Sequence, residues 1–130
     1  MAALDSVTGE ATSWDPGLMT FVYDIEVVGN TVYLGTELTN IGNALRGIIA
    51  IDASTGVVQD LGGGPASFVN SISVRGNTLY FGGFLTLGGM NILTGTRTSF
   101  DMRLNSGVEA IIATESVVYA AGVFDRVPGR

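Results

Sequence analysis

The stretch "VYDIEVVGN" runs straight into "TVYLGTELT", two apolar-rich segments joined through Gly29-Asn30. Both are rich in Val, Ile, Thr and Tyr, which favour strands. Gly-Asn supplies the positive φ that a tight hairpin turn requires. Further on, "IIAID" and "VVQDL" flank "ASTG" and make a second hairpin. Extended back to "RGIIAI", its first strand does not alternate, which is the mark of a strand covered on both faces. Read this way, the pattern predicts strands at about 21–29, 31–39, 47–52, 57–61, 67–75, 78–85, 97–101, 107–114 and 117–124. A further strand at about 2–5 pairs with 10–14, and helix is negligible.

The pattern repeats. Gly29-Asn30-Thr31 maps onto Gly76-Asn77-Thr78 at an offset of 47, which also carries Leu4-Asp5 onto Ile51-Asp52, Thr8-Gly9 onto Thr55-Gly56 and Tyr33 onto Tyr80. At an offset of 86, Thr8-Gly9 meets Thr94-Gly95, "TSWD" (12–15) meets "TSFD" (98–101), and Val32-Tyr33 meets Val118-Tyr119. Four short strands per unit with a period in the forties is the pattern of a β-propeller blade. The fold expected is therefore all-β, with four-stranded antiparallel blades and about three blades per chain.

Composition sharpens this. The 130 residues are 46% hydrophobic and only 14% charged, against roughly 25% charged in an average soluble domain. No apolar run approaches the ~18 residues of a membrane span, so burial of sheets on both faces accounts for the surplus. The 19 Gly and 3 Pro favour many tight turns. A net charge of −6, with no Lys and six scattered Arg, argues against a grip on nucleic acid. Without Cys or His, disulfides, thiolate chemistry, the usual general base and the commonest transition-metal ligand are all excluded. "MAALDSVTGEA" has neither the basic start nor the apolar run of a signal peptide.

The combination "LD–TG–TSW–P", "VY–I–V–GNTVYLG" and "GN–LRG–IAID–TG" resembles the delta-60 repeat family of bacterial β-propellers. The likeness covers nearly the whole chain. It implies a kelch- or WD40-like blade architecture within extracellular or surface-associated proteins, and it brings no catalytic residues with it.

Two departures from a regular repeat carry expectations. The third unit is eight residues shorter than the second, and the missing piece falls between Thr86 and Asn91. "LGGM" is a poor strand, so a missing or rudimentary third strand is expected there. The chain also begins on a second hairpin and stops on a first one, which divides it into a half-blade at about 1–16, a blade at about 20–63, a shortened blade at about 66–102 and a half-blade at about 106–126. The expected partners are further blades, from identical chains or from a longer parent chain, with a glycan or protein as ligand.

The candidate chemistry is sparse. The Asp-x-x-Thr-Gly turns (Asp5 to Gly9, Asp52 to Gly56, and Asn91 to Gly95) read as hairpin turns in which the Asp or Asn side chain accepts the N–H groups that follow. One carboxylate per turn is too few for a cation. "GGGP" and the Gly pairs lack the following helix of a phosphate loop and read as close approach between blades or as bulges. Trp14 with Phe100, and Tyr33 with Tyr80 and Tyr119, recur in fixed columns and read as packing between blades.

Asp24 and Glu26 lie two apart on one strand, and a facing carboxylate would make an acid/base pair of them. Tyr23, Asn70 and Glu109 share one repeat position near the start of each innermost strand, where a propeller approaches its central channel. With Asp24 they are the candidate polar lining of a binding site; no catalytic residue, metal ligand or cofactor is assigned. The reading favoured is a non-catalytic scaffold or binding module in an extracellular or particle-surface assembly. The alternative is part of a carboxylate-dependent propeller enzyme, a hydrolase or lyase acting on polysaccharide.

Overall fold

A computed structural model describes residues 1–42 and 44–128. Ten strands form among them and no helix. β1 (Val22–Val28), β2 (Thr31–Ile41), β3 (Ala44–Asp52) and β4 (Val58–Gln59) make one antiparallel sheet in chain order. β5 (Val69–Arg75), β6 (Thr78–Gly83), β7 (Thr86–Asn91) and β8 (Arg97–Arg103) make a second of the same order. β9 (Val108–Ala113) and β10 (Val118–Gly122) make a two-stranded third sheet. The first strands stand side by side, β1 against β5 and β5 against β9.

Strand β7 corrects an expectation. The shortened unit has a full third strand, "TLGGMN", paired with β6 on one side and β8 on the other. Glycine is a weak strand former when judged alone, but here its neighbours are large. Phe81 is the Cα partner of Gly88 and Tyr80 of Gly89. A Cβ on Gly88 would come within 2.7 Å of the Phe81 ring, and one on Gly89 within 2.8 Å of the Thr98 hydroxyl. The aromatic rings fill the space that the glycines vacate, so cross-strand packing outweighs propensity.

The eight residues are lost elsewhere. In the first sheet β2 and β3 extend past Gly35↔Ile48 into an arm that pairs Thr39↔Arg46, Asn40↔Leu45 and Ile41↔Ala44. In the second sheet the chain turns back after Gly82↔Leu87 through Phe84-Leu85. The deletion removes the tip of a hairpin and leaves the strands beneath it intact.

The N-terminal hairpin is also less regular than expected: within 2–14 a single bridge, Leu4↔Ala11, replaces two strands. Its register nonetheless matches the repeat, since Ile51↔Val58 and Met90↔Arg97 occupy the same places. All three turns close alike. The Asp5 carboxylate accepts the N–H groups of Val7 and Thr8, that of Asp52 those of Ser54 and Thr55, and the Asn91 amide oxygen those of Leu93 and Thr94.

Three apolar clusters hold the layers. Tyr33, Ile48 and Ala50 of the first sheet pack on Val69, Ile72, Leu79 and Phe81 of the second. Leu87, Val108 and Ile111 join the second sheet to the third, with Phe100 and Tyr80 beside them. On the other face of the first sheet, Trp14 and Leu18 cover Val32, Leu34, Ile49 and Ile51. Two glycines let the sheets approach. A Cβ on Gly35 would stand 2.8 Å from the Val69 carbonyl oxygen, and one on Gly82 would overlap the Val108 side chain.

Candidate binding face

The innermost strands carry the sequence candidates, and the structure divides them. Asp24 turns into the junction between the first two sheets, where its Oδ2 accepts the Ile72 N–H at 2.8 Å and faces the Ser71 hydroxyl at 3.3 Å. Ser71, which holds the equivalent place on β5, accepts the Ile111 N–H at 3.0 Å across the next junction. Ser73 accepts the Ala113 N–H at the same distance. Asn70 donates from its side-chain amide to the Val108 carbonyl at 3.0 Å. These polar groups tie first strand to first strand, so Asp24 and Asn70 serve the junctions. Glu109 stands exposed on β9.

Tyr23 goes the other way. Half exposed, it lies 6.4 Å from the Phe68 ring in a tilted arrangement, and Phe68 stacks on Phe84 at 5.9 Å with 23° between planes. The three rings form a row at the end of the molecule where β1 and β5 begin and β6 turns into β7. Phe84 is 55% exposed. Beside it Leu85 has φ +60°, a left-handed conformation that costs a bulky L-residue roughly 1–3 kcal/mol and recurs at ligand sites. Its carbonyl accepts the Leu104 N–H at 3.0 Å, which pins the turn to the chain after β8.

An open hollow of about 500 Å³ adjoins this turn, lined by Phe84, Leu85, Asp101 and Arg103 among others. Arg97 contributes to its wall, held by the Asp101 carboxylate at 2.7 Å and lying over the Phe81 ring at 4.9 Å. On the first sheet the same end carries the β2–β3 arm, clasped by the Thr20–Thr39 hydroxyl pair at 2.7 Å and by the Glu37 N–H donating to the Phe21 carbonyl. Aromatic row, strained turn and arm thus share one end of the sheets.

Three carboxylates are committed to turns or to an ion pair. Hydrogen bonds from the Thr8 and Val7 backbone hold Asp5 below the ordinary carboxylate range, and those from Thr55 and Ser54 do the same for Asp52. Asp60 is lowered by the Arg46 guanidinium and the Gly62 N–H. Among the described residues, no three acidic side chains converge as a metal site, and Asp24 is occupied by a backbone N–H.

Sequence reasoning passed over Phe68 and Phe84. The signal was present in "GGFLT", where a glycine-flanked Phe84 replaces Glu37 of the preceding unit. An apolar ring at a turn position that was polar one unit earlier needs a reason, and stacking on Phe68 gives it.

No protein-family model and no curated protein matches the chain. Among solved structures it is similar to the computationally designed Ika4 protein, with a TM-score of 0.60 and 19% identity. The match covers 76% of this chain, which spans 58% of the length of that one. The likeness is one of fold.

Proposed function

We propose that the chain is a β-propeller segment of about three blades, of the delta-60 type, that works as a non-catalytic binding module in an extracellular or surface assembly. Supporting the propeller reading are the face-to-face packing of successive sheets through their first strands, the glycines at each approach and one register kept in all three turns. The binding role is carried by the Tyr23–Phe68–Phe84 row, in which Tyr23 and Phe84 are exposed. The outer rings of this row, beside a hollow, offer apolar surface for a sugar face or a proline- or aromatic-containing peptide, at low cost in side-chain entropy.

Screening the chain on oligosaccharide and peptide arrays tests this, with the Tyr23→Ser/Phe84→Ser double variant alongside. Hits lost by the double variant, whose circular dichroism stays that of the parent, are the expected result. An array without hits, or hits that the double variant keeps, overturns the reading.

A further inference from the structure

We propose that a second copy of this chain completes the third sheet, residues 1–14 of one copy adding to the β10 edge of the other, so that two copies close a six-sheet ring. This rests on the propeller reading above. β9 and β10 are the first and second strands of the repeat, and residues 1–14 hold the turn and bridge of its third and fourth. Among the described residues β10 pairs with β9 alone.

The repeat fixes how the halves meet. Tyr33↔Ala50 and Tyr80↔Gly89 are Cα partners in the complete sheets; moved by the repeat offsets, both pairs become Tyr119↔Ala3. Likewise Val32↔Ile51 and Leu79↔Met90 become Val118↔Leu4. In the first two pairs a tyrosine lies over a small residue. Ala3 is the small residue that Tyr119 lacks within its own chain.

The edge is prepared for this pairing. Thr114 N–H donates to the Val117 carbonyl, and bonding alternates along an antiparallel pair. The Val118 N–H therefore points away from β9, toward the open side. The Asn30 carbonyl accepts the Ala53 N–H, and the Asn77 carbonyl the Ile92 N–H; Ser116 and Ser6 of two copies hold the matching places.

Burial shows the two vacancies. Ile72 and Ile111 are 4% and 5% exposed at their junctions, but Ile25 in the same column is 54% exposed. Tyr33 is 6% exposed and Tyr119 is 63% exposed. The two open faces are complementary: the Ile25 face of one copy takes the place next to Tyr119 of the other. The exposed surface is 7441 Å², about 900 Å² more than the ~6,500 Å² expected of a compact 13.5 kDa chain, which matches the ~800 Å² per partner of a stable interface.

Polar bonding agrees with a junction of slightly different make. In the acceptor column Asp24, Ser71, Ala110, the last has no acceptor to offer the next sheet. The N–H it would have met, that of Ile25, is already taken by the Asp24 carboxylate at 2.8 Å. Ala121 stands where Gly35 and Gly82 stand, so Val22 of the partner sits a little further off than Val69 and Val108 do. Two whole sheets, the two-stranded third sheet and the N-terminal turn lie within these 130 residues, and two copies would bring six sheets together, within the roughly 4 to 8 blades of closed rings.

Light scattering on the 130-residue chain tests the proposal. The expected mass is twice 13.5 kDa. Val118→Pro removes the outward N–H and none of the ladder bonds to β9, a change an edge strand tolerates, and Tyr119→Ser leaves the backbone untouched. Both are expected to run as single chains with a β-type circular dichroism spectrum. A parent chain that stays at single mass or assembles beyond two copies, or a Tyr119→Ser variant that remains paired, overturns it. Because mass is the readout, failure of the aromatic binding face would leave this result unaffected.

Discussion

The Asp24 carboxylate on β1 accepts the Ile72 N–H on β5 at 2.8 Å, across the gap between two sheets rather than along one. Apolar contact between stacked sheets does not specify how far one slides over the next. A charged acceptor on a single N–H does. Asp24→Ala removes the acceptor of that N–H and of the Ser71 hydroxyl, and is expected to cost about 1.5–3 kcal/mol, the range for hydrogen bonds to charged groups. Urea unfolding measures it. A change within a few tenths of a kcal/mol would show that water replaces the carboxylate at no cost.

Gly82→Ala places a methyl group into the Val108 side chain, and overpacking of this kind costs about 1–3 kcal/mol. Gly9→Ala meets nothing within 4 Å but must hold φ +74°, a penalty of roughly 1–2 kcal/mol from backbone strain alone. The two variants separate by site. Hydrogen exchange is expected to quicken in β5, β6 and β9 for Gly82→Ala, and only near the first turn for Gly9→Ala. Equal loosening of the β6–β9 junction by both would refute the close-approach role of Gly82.

Trp14 is half buried, its indole N–H donating to the Asp52 carbonyl at 3.1 Å while its ring covers the Val32, Leu34, Ile49 and Ile51 cluster. Trp14→Ala is expected to cost about 3 kcal/mol, the lower end for a large aromatic because part of the ring already meets water. Trp14→Phe keeps the cover and loses the bond, and should cost about 1 kcal/mol. If both variants melt with the parent, the N-terminal segment is not seated on the first sheet.

Acid should weaken the fold through its turns. Asp5, Asp52 and Asp60 are all depressed below the ordinary value of 3.8. A depressed carboxylate stabilises the native state above its unfolded pKa, and that stability is lost as pH falls through the folded one. The urea midpoint is therefore expected to be flat near neutrality and to drop below about pH 4. Asn91 performs the same turn without a charge, so Asp5→Asn should keep the turn, give up at neutral pH only the part of the stability that the charge adds, and shrink the acid loss. A steeper acid loss in Asp5→Asn would contradict this assignment.

The hairpins were legible because their signals are local: Gly29 and Gly76 take the positive φ that their turns demand, and Asp52 and Asn91 each cap the turn that follows a third strand. β7 was not legible. Its strand character comes from Phe81 and Tyr80 on the neighbouring strand, and a window centred on "LGGM" contains neither. Asp24 and Asn70 were found as polar residues at the first strands, but their targets are N–H and C=O groups 48 and 38 residues away. No periodicity encodes a bond of that span. Tyr23 was found for its repeat position, whereas its value lies in a row completed by Phe68 and Phe84 from the next unit.

The arm of the first sheet and the two-residue turn of the second have a practical meaning for anyone rebuilding this molecule. Between Gly35↔Ile48 and Gly82↔Leu87 the sheets below are alike, yet one supports twelve residues above that rung and the other four. Length at this tip is decoupled from the sheet that carries it, since closing a longer loop costs only about 0.6 kcal/mol per doubling. The Phe84-Leu85 turn is thus a graft point. A foreign peptide spliced there would be displayed at the same end as the native arm, on a sheet built like the one that carries that arm.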